Sequence, residues 1–285
     1  MTGTLRTRVV VAAGGLGTRV GCWSRYLPKE FLPVAGRPGI VHILEEIAQL
    51  GPAHVVIVHH PYYSSFATWA RQALSPHSRT RYVQAAGQDL FEPDRHKHLL
   101  VEFVVQRGPY ADLTSIFNAD DRFATTTTGA GELYVVFSDN LYPGAHPLLD
   151  LAEASPGVSV LARPFCDDLA AQRGVIATRP DRGHRRMVSL TEKPDSVTAY
   201  ALQREHGRGN LFLNEGRARL SADFIAFARA RVWPSQVEPK LALAIGAYAH
   251  DHPVRVIRTS SDVIDLGTPG LVTSMAGSGA VQVGK

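Results

Sequence analysis

The 285-residue chain is 45% hydrophobic and 20% charged, ordinary for a globular protein and long enough to bury a full core. Its formal charge of +4, carried mostly by arginine, includes no dense Lys/Arg run, which argues against nucleic-acid binding and suits a protein that handles anionic phosphates. Two cysteines, Cys22 and Cys166, without a CxxC, leave no disulfide framework or structural zinc site, and the absence of a signal-type leader or an apolar run of about 18 residues makes a cytoplasmic protein without membrane contact the expectation.

The first element, residues 8–13, is a run of small and β-branched residues that reads as a buried strand. It empties into Gly14, Gly15 and Gly17, a loop whose backbone N–H groups can approach a phosphate because glycine carries no Cβ. Arg19 ends this loop, and Lys29 follows Pro28; two cations beside such a loop point to a bound polyphosphate. Helical spacing follows at 40–50, a strand at 54–60, a helix at 64–74, a strand at 99–105, a helix at 114–123 and a strand at 132–138. This alternation argues for a parallel sheet flanked by helices, with ligands beyond the carboxyl ends of the strands, where the glycine loop and Asp139 both fall. The second half is less regular, with strands expected at 158–163, 174–178, 188–192, 211–220 and 254–258 and helices at 196–203, 222–230 and 238–249. Residues 91–98 and 125–131 read as surface loops and 275–285 as a frayed tail. No linker divides the chain, so one domain is expected. The histidines His59, His60, His96 and His98 have no metal-ligand context. The closing GAVQVGK imitates a P-loop without its hydroxyl residue or following helix.

The loop Gly14-Gly15-Leu16-Gly17-Thr18-Arg19, followed after eight residues by Pro28-Lys29-Glu30-Phe31-Leu32-Pro33, resembles the signature of the sugar-phosphate nucleotidyltransferases. The PKE triplet is similar to the glucose-1-phosphate uridylyltransferase branch, the double glycine to the thymidylyl and guanylyl branches. The resemblance implies a Rossmann-like α/β fold with a mixed, mostly parallel sheet and a smaller sugar-binding subregion. It places nucleotide binding at about 1–140 and sugar-phosphate binding at about 141–270. It implies transfer of a nucleoside monophosphate from an NTP to a sugar 1-phosphate, with Mg²⁺ as cofactor and a homo-oligomeric assembly.

Residue by residue, the resemblance puts Ala12, Gly14, Gly15, Gly17, Thr18, Gln106 and Ala111 against the nucleotide, and Arg19, Lys29 and Lys193 on the reacting phosphates. Asp139, in FSDN, and Asp265, in DLGT, match the metal-binding aspartates; carboxylates facing a triphosphate are what Mg²⁺ needs. Glu192-Lys193-Pro194 matches the family's EKP motif, with Glu192 on sugar hydroxyls and Lys193 on the sugar phosphate, and Gly174 matches the glycine of the sugar loop. Gln106 matches the base-reading glutamine of pyrimidine-using members, which favours UTP or dTTP, with GTP as the alternative. The chain departs from the pattern at Asp112, at Arg173, where relatives carry an aromatic, and at Asn214-Glu215-Gly216, where Glu215 is expected to face the sugar. These departures suggest an altered acceptor, including a non-sugar such as a phosphonate or a cyclitol phosphate. A catalytically silent nucleotide-sugar-binding protein is the remaining reading.

Overall fold

A computed structural model describes residues 7–75, 77–87, 95–126, 131–234 and 238–267. Residues 91–94 and 127–130 of the expected loops, Thr268 of the DLGT motif, and the tail with its GAVQVGK segment lie outside the described residues.

In chain order the strands are β1 (Thr7–Ala13), β2 (Pro33–Val34), β3 (Arg37–Pro38), β4 (Ala53–His59), β5 (Leu100–Val105), β6 (Leu133–Phe137), β7 (Asn140–Leu141), β8 (Ser159–Pro164), β9 (Gly174–Asp181), β10 (His184–Glu192), β11 (Leu211–Leu220), β12 (Arg255–Arg258) and β13 (Ile264–Asp265). The helices are α1 (Gly39–Ala48), α2 (Ser64–Ala73), α3 (Ser78–Ala86), α4 (Asp112–Thr126), α5 (Pro147–Glu153), α6 (Asp167–Ala170), α7 (Ser196–His206), α8 (Ala222–Ala230) and α9 (Leu241–Tyr248). Among the described residues no helix is long and apolar enough to cross a membrane.

Nine strands form one sheet in the order β5-β4-β1-β6-β11-β8-β12-β10-β9. The β5-β4-β1-β6 half is parallel, with Val9 opposite Val55 on one side and Tyr134 on the other. β11 runs antiparallel to β6 and continues into the second half, pairing with β8 and, at its start, with β9. The parallel half follows from sequence: β1 and β4 are apolar on both faces, and only a strand covered on both sides tolerates that. Val10 packs with Leu113, Ile116 and Phe123 of α4, whereas Val9 and Val11 pack with Ile40, Ile43, Leu44 and Ile47 of α1. Each such buried side chain contributes about 1.5–3 kcal/mol relative to exposure. A third cluster joins β9 and β11 to α6 and α7 through Val175, Leu213 and Ala199.

α9 begins at Leu241 rather than 238, because Pro239 disfavours helical backbone before it and Lys240 is extended. The expected 91–98 loop contains a buried residue, His96, beside the turn that enters β5. α3 has no buried residue and hence no apolar period to announce it.

Candidate active site

A cleft of about 360 Å³ opens beyond the carboxyl ends of β1, β5 and β6. The glycine loop leaving β1 forms one wall through Ala12, Gly14 and Gly15. Gly14 has a packing reason to lack a side chain: a Cβ there would lie 1.9 Å from Gln106 Oε1. At Gly15 a Cβ would sit 3.7 Å from Lys29 Nζ, so this part of the loop is open beside the ammonium. Gly17 and Thr18, expected on the nucleotide, do not line the cleft. Gly17 adopts φ +65° and packs on the aliphatic stem of Lys29, and Thr18 is exposed at the start of a 3-10 turn.

The charged centre sits where β6 ends. Lys29 Nζ donates to Asp139 Oδ2 at 2.6 Å, and the lysine is nearly buried. Burial opposes the ammonium charge, but Asp139, Glu30 and Asp265 outweigh it and raise the Lys29 pKa. Burial likewise disfavours the Asp139 carboxylate, yet Lys29 and then Arg19 hold its pKa below the ordinary value, so the pair is ionised at neutral pH. Asp265 arrives from the far end of the chain: β13 pairs with β7, and Leu266 N–H donates to the Asp139 carbonyl at 2.7 Å. Asp265 Oδ1 accepts from the Gly267 N–H at 2.7 Å. A Cβ at Gly267 would lie 2.8 Å from Arg19 Nη2 and 3.0 Å from Asp265 Oδ1, so Arg19 and Asp265 meet over this glycine. Glu30 of the PKE triplet lies just behind, fully buried and accepting from Ser138 Oγ at 2.6 Å; burial raises its pKa.

At the opposite end, Gln106 and Ala111 line the cleft. The Gln106 amide is already engaged: its Nε2 donates to the Ala111 carbonyl at 3.1 Å and the Pro109 carbonyl at 3.3 Å, while Oε1 accepts from Ser115 Oγ. Gln106 thus shapes the 106–111 loop. Tyr110 and Asp112 join the same wall. Asp112 accepts from the Leu241 N–H at 2.7 Å and so caps α9, fixing Lys240 and Glu238 at the cleft.

Burial pushes the Asp112 carboxyl up to about 6, the hydrogen bonds from Leu241 and Leu113 offsetting only part of that. Folding therefore raises its proton affinity, and its contribution is fully present below about pH 4 and lost as pH rises through about 6. The stability difference between wild type and Asp112→Asn should shift in favour of the variant by about 2–3 kcal/mol between pH 4 and 7. Urea midpoints measured across that range check this; parallel curves would show that Asp112 does not titrate there.

Gly174, Glu192 and Lys193 line the second half of the cleft. Gly174 faces Glu192, whose Oε2 would lie 3.2 Å from a Cβ there. Glu192 pairs with Lys240 at 3.6 Å, and Lys193 is exposed in a positive-φ conformation at +45°. The expectation that Glu215 faces a sugar is corrected. Glu215 is 0% exposed and does not line the cleft; it ion-pairs with Arg163 at 2.6 Å, faces Arg173 at 3.5 Å and accepts from Tyr142. The neighbouring Gly216, at φ +67°, introduces an irregularity in β11 against β8, and this irregular stretch carries Glu215 inside. Lys240, Glu238, Tyr110 and Asn140 were not foreseen as cleft residues; Glu238 and Lys240 fall in the stretch expected as the start of the 238–249 helix, and Tyr110 sits on a loop without apolar periodicity.

A sequence profile described as nucleotidyl transferase matches residues 8–268. The chain belongs to the nucleotidyl transferase family. A UTP–glucose-1-phosphate uridylyltransferase of Bacillus subtilis (strain 168) is 24% identical over 204 residues, 67% of this chain and 66% of that protein. A CMP-5'-(3-aminopropyl)phosphonate synthase of Streptomyces rubellomurinus (strain ATCC 31215) is 49% identical over 51 residues, 18% of this chain and 8% of that protein. The chain thus matches less than two thirds of the length of these curated relatives. Among solved structures, a UDP-glucose pyrophosphorylase complexed with UDP-glucose superposes with a TM-score of 0.72 at 18% identity, covering 96% of this chain and 98% of that one. A putative glucose-1-phosphate thymidylyltransferase from Bacillus anthracis superposes with a TM-score of 0.67 at 16% identity, covering 98% of both. These likenesses establish the nucleotidyl transferase fold expected from sequence.

Members of the nucleotidyl transferase family of this kind generally use a divalent metal. The donor chemistry fits one: Asp139 is held ionised, Asp265 stands on the strand paired beside it, and both offer hard oxygens. Among the described residues no group of three or more His, Cys, Asp or Glu converges. Two carboxylates completed by phosphate and water oxygens are the arrangement Mg²⁺ favours.

Proposed function

We propose that this chain transfers a nucleoside monophosphate from an NTP, with UTP or dTTP favoured, to a sugar 1-phosphate, releasing pyrophosphate. The observation that carries this reading is the Lys29–Asp139 pair, with Arg19 and Asp265 beside it, at the junction of the two halves of one cleft. The nucleotide half corresponds to about residues 1–140, the acceptor half to about 141–270.

An acceptor phosphate oxygen attacks the α-phosphorus. A new P–O bond forms, the bond from Pα to the oxygen bridging Pβ breaks, and its electron pair leaves with pyrophosphate. A phosphate monoester is largely dianionic at neutral pH, with a second pKa of about 6, so no general base is needed. Catalysis is then positioning and charge neutralisation. Magnesium held by Asp139 and Asp265, when bound, supplies further neutralisation of phosphate charge. Lys29, held rigid by its pairing, orients the nucleotide phosphates; Arg19, on the exposed lip, meets the departing pyrophosphate; Lys193 holds the acceptor phosphate.

A second reading, a phosphonate as acceptor, is favoured by the withdrawal of Glu215 from the cleft and by the local match to a CMP-phosphonate synthase. One experiment separates the readings: pyrophosphate release from UTP, dTTP, CTP, ATP and GTP, each against a panel of sugar 1-phosphates and alkylphosphonates. Turnover with UTP or dTTP and a sugar 1-phosphate is expected. Turnover confined to CTP and phosphonates would select the second reading, and preference for GTP or ATP would remove the pyrimidine assignment. No release with any pair would overturn both.

A further inference from the structure

Arg173 is a cation whose charge the fold does not account for. Its side chain is 12% exposed and lines the acceptor half of the cleft. Its single ion-pair contact among the described residues is Glu215 Oε1, at 3.5 Å, beyond good hydrogen-bond range. That carboxylate is already shared with a second cation. Arg163 Nε lies 2.6 Å from the same oxygen, and the Tyr142 hydroxyl donates to Oε2 at 3.1 Å. Arg163 spends a further donor on the Ser261 carbonyl at 3.0 Å. Two guanidinium groups therefore share one carboxylate, which leaves one positive charge in a largely dehydrated place. No side-chain hydrogen bond of Arg173 occurs among the described residues, so its planar fork is available to the cleft.

The nearby acid does not neutralise it: Glu192 pairs with Lys240. The backbone of Arg173 is fixed where it matters, its carbonyl accepting from the Lys193 N–H at 3.2 Å. Lys193 and Arg173 thus stand side by side on the acceptor wall. The reaction centre already holds Arg19, Lys29 and Lys193 for phosphate charge, whereas Arg173 lines the acceptor half and has Glu215, which does not line the cleft, as its ion-pair contact among the described residues. A half-buried guanidinium without a side-chain hydrogen-bond partner among the described residues suits a planar two-oxygen anion.

We infer that Arg173 is a specificity-determining residue, and that the acceptor carries, besides its reacting phosphoryl group, a carboxylate that Arg173 binds. This rests on the nucleotidyl-transfer reading of the same cleft. Arg163, Glu215 and Tyr142 act as positioning residues: they hold the guanidinium in place and cancel one of two charges, leaving the other for the ligand.

The test compares acceptors that differ by one carboxylate: glucuronic acid 1-phosphate against glucose 1-phosphate, and 3-phosphonopropionate against propylphosphonate. Both pyrophosphate release with the five NTPs and direct calorimetric binding without NTP are read. The carboxylate member of at least one pair should be preferred by about tenfold or more, the scale of a charge-assisted hydrogen bond to a desolvated partner. Arg173→Gln should bring that ratio close to unity, and Arg173→Lys should keep part of it because charge survives while the fork is lost. Equal or better use of the neutral members overturns the inference and leaves nucleotidyl transfer standing. An equal loss for all acceptors in Arg173→Gln also overturns it, since Arg173 would then clamp the reacting phosphate. Arg173-dependent binding of a carboxylate acceptor without turnover supports the inference and places the failure with the proposed reaction. The wild-type comparison stands even where a variant fails to fold.

Discussion

Replacing Asp139 by alanine should lower turnover at least about 100-fold, the scale of losing one strong electrostatic stabiliser in a preorganised site. The carboxylate does two things at once. It neutralises and fixes Lys29, whose Nζ it binds at 2.6 Å, and it offers the ionised oxygens a divalent ion needs. Asp139→Asn keeps the shape but neither charge nor metal affinity, so it should be nearly as inactive as the alanine variant. Removal of divalent ions by excess EDTA should abolish turnover, and added Mg²⁺ should restore it in the wild type but not in Asp139→Asn. Steady-state pyrophosphate release measures all of this. Undiminished turnover in chelator would eliminate the metal from the reaction, and a fully active Asp139→Asn would remove the carboxylate from it.

The largest loss of stability should come from a buried ion pair away from the cleft. Arg217 and Glu46 form a two-pronged bridge, Nε to Oε1 at 3.1 Å and Nη2 to Oε2 at 2.8 Å, with the arginine side chain 0% exposed. The same guanidinium donates to the carbonyls of Phe137 and Asn140, so it brackets the turn that carries Asp139. Glu46→Ala leaves a buried guanidinium uncompensated and should cost about 3–5 kcal/mol, read from urea midpoints. Converting both residues, Glu46→Leu with Arg217→Met, should recover part of that stability because no charge is stranded. Activity should not recover with it, since the carbonyls at 137 and 140 stay unheld. A double variant that regains both would show that Arg217 does not position the Asp139 turn, and a Glu46→Ala protein as stable as wild type would show that the pair carries no net stabilisation.

The parallel half of the sheet was legible because each of its strands is a short apolar run entering a turn, and a run covered on both faces has only one kind of home. The residues that meet at the charged end of the cleft were legible for a different reason: glycines, a proline-fixed lysine and two aspartates stand in fixed local patterns, and local patterns survive folding. What could not be read was tertiary. Glu215 sits in a strand where alternation alone leaves its direction open, and only the positive-φ glycine after it and the arginines from β8 and from the residue just before β9 decide that it turns inward. Gln106 carries the right chemistry for a base edge, yet the three-dimensional return of Pro109 and Ala111 engages its amide. Lys240 was read as part of a helix, whereas Pro239 and the cap from Asp112 make it an extended residue in the cleft wall.

The place of β12 in the sheet bears on how the chain is made. Residues 255–258 do not lie at an edge; they sit between β8 and β10, both synthesised long before them. Until they leave the ribosome, β8 and β10 each present an open side, and unpaired strand sides invite association with other chains. The first, parallel half waits less long: β1, β4, β5 and β6 are complete once residue 137 has emerged, and the open side of β6 is closed by β11. Synthesis therefore runs from an early parallel half to a half-open sheet that waits for its keystone, and only a few residues later does Asp265 arrive at the cleft. Competence for chemistry is withheld until almost the whole described chain is in hand.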